Sequence, residues 1–335
     1  MSKPKIHALF EYLPLNISIH GEPPVPPPVK ALVFVHGIYS GHETAFRSLA
    51  DKLSEAGVNK THEFAYFDYN FRRSIAETGA DLAKMLIHYV GNEKSEVTLI
   101  GHSMGGLVCR LALLQRGDDL KFVKRLIMLG TPNHGTLHTG RLGWLTGATR
   151  EASGVLWAQI SRKAGIKQLT EIGKFLKPHL KADSQTQTLG VDYISIPATC
   201  FHEESGRAEL ILGEHSRKMV IAPLAMELLT AIYGEPIGLN RPHDGIVEED
   251  SVFLGNRGAV TRNSERRQTC EKVPGCGPYL HVRHDDFLEH SHVTIQKSDK
   301  TAEIIASVLG EPDLETWRRE FADSMGSGFS IEPGR

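Results

Sequence analysis

The chain has 335 residues, 40% of them hydrophobic and 23% charged, with a formal net charge of -2 at pH 7; it has room for one large α/β domain with an insertion and for a sizeable core. Its basic residues are scattered, the short group at 262–267 aside, which excludes the dense basic face with stacking aromatics that nucleic-acid grooves use. Residues 1–12 hold no apolar run of signal-peptide length, no window supplies the roughly 18 apolar residues of a membrane span, and four cysteines are few for a disulfide-stapled secreted domain, so the expected setting is the cytoplasm.

Residues 22–29, EPPVPPPV, cannot form helix and read as extended backbone leading into the first core strand; 1–29 is therefore expected to be an N-terminal extended segment. Residues 31–35, ALVFV, form the continuous apolar run of a parallel strand covered on both faces. Phe46, Leu49, Leu53 and Ala56 then recur at helical spacing, and Gly57 is a plausible stop. A second strand is predicted at 64–67, a helix at 75–90, a third strand at 97–100 broken by Gly101, a helix at 104–114 and a fourth strand at 126–129 before Gly130.

Strand and helix thus alternate through the first 130 residues, which predicts a mostly parallel central sheet flanked by helices. After Pro132 the rhythm changes, and residues 136–190 read as a helical cap inserted over the carboxyl edge of the sheet. Leu142, Trp144, Leu145, Val155, Leu156 and Trp157 within it suit either a cover for an apolar acyl chain or plain packing. A strand returns at 193–200, a second helical excursion is predicted at about 205–235, a strand at 279–282 and a closing helix at 301–309; the main domain spans 30–325, and 326–335 is expected to be a flexible tail.

The strongest chemical signal is Gly101-His102-Ser103-Met104-Gly105, between an apolar strand and an apolar helix. A side chain on so sharp a strand-to-helix turn sits on strained backbone, and its neighbours two residues away must be small for strand and helix to approach. The turn aims the Ser103 hydroxyl at the sheet edge and leaves the Met104 amide free at a helix amino terminus, where it can bind a developing oxyanion. Acyl-transfer sites need a second backbone donor, and the loop after an earlier strand offers the amide of Ile38, with Gly37 permitting close approach.

The strings FVHGIYSG, GHSMGG and LGTPNHG together resemble the lipase and esterase branch of the α/β-hydrolase superfamily, well over residues 31–135 and beyond that through two short strings. The resemblance implies an α/β-hydrolase fold and a serine esterase. It places Asn133 and His134, in the third string, beside the nucleophile, so that with His36 and Gly37 they are expected to line the substrate pocket. Order along the chain requires acid and base after Ser103. His243-Asp244-Gly245-Ile246-Val247 resembles the lipase-type acid loop and nominates Asp244, with Asp192 in reserve. For the base, His292 followed by Val293-Thr294-Ile295 matches the spacing of the family, and His290 is the alternative.

The expected chemistry is cleavage of a small-molecule ester or lipid-like substrate through an acyl-enzyme, with no cofactor. Two rivals stand beside it. Cys270, Cys276, His281, His284, Asp285, Asp286, His290 and His292 are dense enough to bind zinc, although cysteines six apart fit structural zinc sites poorly. A non-catalytic α/β-hydrolase relative acting as a binding protein is the other, and it usually lacks a member of the Ser-Asp-His set.

Overall fold

The computed structural model describes residues 29–38, 41–71, 73–90, 92–133, 190–198, 201–204, 207–210, 244, 247, 249–252, 279–284, 290, 292–321 and 329–333. In chain order the elements are β1 (Lys30–Val35), α1 (His42–Glu55), β2 (Glu63–Phe67), α2 (Ile75–Val90), β3 (Glu96–His102), α3 (Met104–Arg116), β4 (Val123–Leu129), β5 (Asp192–Ile196), β6 (Phe201–Glu204), β7 (Arg207–Leu210), α4 (Glu249–Val252), β8 (Tyr279–His284), α5 (Asp299–Gly310), α6 (Leu314–Phe321) and β9 (Phe329–Pro333).

Among the described residues the main sheet runs β2-β1-β3-β4-β5-β8-β9. Every pairing from β2 to β8 is parallel, and β9 closes the edge antiparallel. The alternation of side chains along a strand explains the unbroken apolar run of β1. Ala31, Val33 and Val35 pack with Leu82, Leu86, Val108 and Leu111 of α2 and α3 on one face. Leu32 and Phe34 pack with Phe46 and Leu49 of α1, Ile305 of α5 and Trp317 of α6 on the other.

Local chemistry sets the element ends. Gly57 adopts φ 85 and its N–H donates to Ser54 O at 3.0 Å, the left-handed cap that stops α1. β3 does not break at Gly101: it continues to His102, because Gly101 is extended and paired, and a Cβ there would lie 2.5 Å from the Gly106 backbone. α5 starts at Asp299, earlier than the apolar spacing suggests, because the Ser298 side chain accepts from Thr301 N at 3.2 Å.

Three features correct the sequence reading. α6 was not foreseen; Asp313 Oδ1 accepts from Thr316 N at 2.7 Å, and Trp317 is buried with Nε1 donating to Ser307 Oγ at 2.8 Å. β7 occupies the start of the span read as a second helical excursion, pairing with β6 as an antiparallel hairpin; Ser205-Gly206 between them is a short turn signal. The end expected to be a flexible tail supplies β9, whose Phe329–Pro333 pair with β8 and cap its exposed edge. Apart from Gly190, the predicted cap at 136–190 lies outside the described residues, as do 1–28 and 211–235. No helix among the described residues is long and apolar enough to cross a membrane.

Candidate active site

Ser103 stands between β3 and α3 with φ 55 and ψ -126, the one non-glycine residue with positive φ among those described. Left-handed backbone on a residue with a Cβ persists only where the surroundings dictate it. Here Ser103 N donates to Leu129 O at 2.9 Å and Gly106 N to Ser103 O at 3.1 Å. Glycine at 105 lets α3 meet the end of β1: a Cβ there would fall 2.0 Å from Val35 O. Met104 is the first helical residue, so its N–H has no acceptor within the helix.

Two side chains from far along the chain meet this serine. His292 Nε2 lies 2.7 Å from Ser103 Oγ, and His292 Nδ1 lies 2.7 Å from Asp244 Oδ2. A carboxylate only accepts, so Nδ1 carries the ring proton and the bare Nε2 accepts from the Ser103 hydroxyl. All three groups are buried, with exposures of 5% for Ser103, 1% for Asp244 and 4% for His292. Asp244 is itself held: Oδ1 accepts from Val247 N at 2.7 Å, and Asp244 N donates to Val247 O at 3.1 Å. His292 N donates to Asp244 O at 2.9 Å, so the carboxylate and the imidazole are joined through backbone as well as side chain.

His102 braces the imidazole from behind. Burial, the largest cause, pushes its pKa down to about 3. It is therefore neutral, and Nε2–H donates to His292 O at 2.7 Å. Gly130, at φ 55, brings its backbone against the Asp244–His292 pair: a Cβ there would lie 3.3 Å from both Asp244 Oδ2 and His292 Nδ1.

The reserve candidates fall elsewhere. Asp192 begins β5 at the opposite, amino edge of the sheet, 3.7 Å from Arg125, with its pKa pushed up to about 6 by burial. His290 Nδ1 lies 3.4 Å from Thr294 Oγ1. Cys109, in α3, is buried and its thiol pushed up by desolvation, which keeps it protonated.

Of the residues expected to line a pocket, Gly37 abuts the serine, a Cβ there being 2.9 Å from Ser103 Cβ. Ile38 is half-buried beside it. His36 is buried, its ring stacked on Tyr69. Asn133 is turned into a buried network, accepting from Arg110 at 2.8 Å and donating to Val252 O at 2.7 Å, where Ser195 Oγ also donates at 2.6 Å. His134 lies outside the described residues, as do Cys270 and Cys276. Among the described residues no group of His, Cys, Asp and Glu is placed to hold a metal ion. Sequence reasoning did not single out Tyr69, Arg110 or Gly130; for Gly130 the signal was present, in the glycine that opens GTPNHG.

Comparison with known proteins adds a family and a fold. A family model described as a domain of unknown function, DUF7379, matches residues 18–187. Curated proteins give no match. Among solved structures, phospholipase PlaB from Legionella pneumophila superposes with a TM-score of 0.54 at 14% identity, covering 88% of this chain and 62% of PlaB. The propeptide form of lipase BlEst2 from Bacillus licheniformis gives 0.51 at 20% identity, covering 87% of this chain and 52% of that one; its mature form gives 0.49 at 21%, covering 86% and 94%. The chain thus spans about half of the BlEst2 propeptide form and under two thirds of PlaB. The architecture is that of the α/β-hydrolase fold.

Proposed function

The chain belongs to the DUF7379 family, whose description names no reaction, and from that premise we propose that it is a serine hydrolase that cleaves carboxylic esters through an acyl-enzyme on Ser103. One observation carries the reading: a buried imidazole stands 2.7 Å from a serine hydroxyl on one side and 2.7 Å from a buried carboxylate on the other. A serine hydroxyl is almost wholly protonated near neutrality, so it attacks a carbonyl only if a base removes its proton as the bond forms. His292 Nε2 is that base. Asp244 keeps the proton of the ring on Nδ1 and stabilises the imidazolium once it forms.

Attack converts the ester carbonyl into a tetrahedral oxyanion. Met104 N–H, at the positive end of α3, and Ile38 N–H are the two donors assigned to it. Collapse expels the alcohol, which takes its proton from His292, and leaves the acyl group on Ser103 Oγ. Water, deprotonated by the same imidazole, then attacks the acyl-enzyme and releases the acid. No cofactor enters this cycle. The likeness to a lipase and a phospholipase is one of fold; a lipid-like ester is the substrate class we assign.

Hydrolysis of 4-nitrophenyl esters of graded acyl length tests the reading. Ser103→Ala is expected to lower kcat by at least about 10⁴-fold while its thermal unfolding stays close to that of the parent. Substantial turnover by a folded Ser103→Ala protein refutes the assignment.

A further inference from the structure

The loop after β1 is gripped by a residue that no motif announces. Tyr69, just beyond β2, stacks on His36 with ring centroids 4.4 Å apart and an interplanar angle of 12°. Its hydroxyl donates to His36 O at 2.7 Å, and its backbone N–H donates to His36 Nε2 at 3.2 Å. A ring nitrogen that accepts from an amide carries no proton, so the neutral ring holds its proton on Nδ1. That N–H donates to Gly37 O at 2.8 Å. Asp68 Oδ1, 3.6 Å from Nε2, is beyond hydrogen-bond reach and leaves that nitrogen to the Tyr69 amide.

Two successive carbonyls, those of His36 and Gly37, are thereby fixed. No cis peptide occurs among the described residues, and in a trans peptide the carbonyl and the N–H point in opposite directions. Anchoring Gly37 O therefore also aims the N–H of Ile38, away from the His36 ring. The same stretch of backbone lies against the serine, since a Cβ on Gly37 would be 2.9 Å from Ser103 Cβ and 3.2 Å from His102 O.

Resting on the reading of Ser103 as nucleophile, we propose that His36 and Tyr69 are positioning residues that direct the Ile38 N–H at the oxyanion. They act through the Gly37–Ile38 peptide and touch no substrate. A donor pre-aimed at the tetrahedral oxygen acts in the transition state and little in the ground state, so its loss lowers kcat and leaves KM alone. Tyr69 contributes twice, through its hydroxyl and through the amide that selects the His36 tautomer.

The test uses the full chain, with rates normalised to the sites titrated by a fluorophosphonate, and to protein concentration for Ser103→Ala, which has no such site. Tyr69→Phe, His36→Phe and His36→Asn are compared with Ser103→Ala on a 4-nitrophenyl ester, and for inhibition by a trifluoromethyl ketone, whose serine adduct carries the same oxyanion. We expect kcat to fall about 5-fold in Tyr69→Phe and about 50-fold in His36→Phe, less than the roughly 10²–10³-fold cost of removing one oxyanion donor outright, because the Ile38 N–H is misaimed and not lost. KM should stay within about twofold, and ketone affinity should weaken in proportion to kcat. His36→Asn, whose side-chain amide donates from near the place of Nδ1, should recover most of the loss.

A merely structural role lowers the titrated fraction or the melting temperature without changing turnover per titrated site. Unchanged kcat in both Tyr69→Phe and His36→Phe, a rise in KM alone, or His36→Asn as impaired as His36→Phe overturns the positioning role. These results with Ser103→Ala inert remove only this inference, whereas turnover by Ser103→Ala removes the reading beneath it.

Discussion

At Ser103 the backbone adopts φ 55 and ψ -126, a conformation that would be costly if it served packing alone. The hydroxyl so presented meets His292, and His292 meets Asp244, at 2.7 Å each. The strand-to-helix turn at Ser103 was legible because it constrains the identity of its neighbours. His292 was nominated over His290 by its spacing to Ile295, but that its Nε2 comes within 2.7 Å of Ser103 Oγ depends on where a loop folds back, which local pattern does not state. Asn133 was expected in a pocket, and its side chain joins Arg110 and Val252 in a buried network; the string says nothing of the direction of a side chain. Tyr69 gave no signal, since an aromatic just past a strand is ordinary. His102 supports a prediction at this scale. Its folded pKa is about 3 against an ordinary 6.5, chiefly because of burial, so between those values the unfolded chain binds a proton that the folded chain refuses. Stability therefore falls as pH drops below about 6.5, by about 1.4 kcal/mol per unit. Denaturant titrations at pH 6.5 and pH 5 should show the parent losing about 2 kcal/mol more than His102→Gln, which keeps a donor near Nε2 but does not titrate. Equal losses would show that His102 takes up a proton in the folded protein as readily as in the unfolded chain.

The β3-to-α3 junction is the element on which the serine depends, and its glycines are steric necessities. A Cβ at Gly105 would sit 2.0 Å from Val35 O and 2.6 Å from His36 O, both backbone atoms, so the clash cannot be relieved by a side-chain rotation. Gly105→Ala should cost about 1–3 kcal/mol, read as a lower denaturation midpoint with ester hydrolysis reduced per folded molecule. A midpoint equal to that of the parent would mean that α3 does not approach β1 as described. Elements with strong periodicity and clear stops were readable: α2 occupies 75–90 and α1 ends at its left-handed glycine. Those set by side-chain caps or by a distant partner were not. α6 begins at the Asp313 cap on Thr316, and β9 is a strand because β8 presents an open edge; neither cause lies in the periodicity of the segment itself.

Across the whole molecule, a parallel sheet covered by helices on both faces brings together residues that are remote in sequence. Ser103 and His292 are 189 positions apart, and they meet because β3 sits centrally while the chain returns to its carboxyl edge after β8. The strand-helix alternation of the first 130 residues made this architecture readable; the order of the later strands was not, since it depends on crossovers whose segments carry no simple period. On the proposed function, Ser103 should be reactive only in the folded protein and should depend on one particular imidazole. The most direct test is the rate at which a fluorophosphonate labels the chain, with the modified peptide identified by mass spectrometry. The account predicts one adduct, on Ser103, formed at the parent rate in His290→Ala and slower by at least about 10³-fold in His292→Ala. A label on another residue, or equal labelling of the parent and His292→Ala, would contradict it.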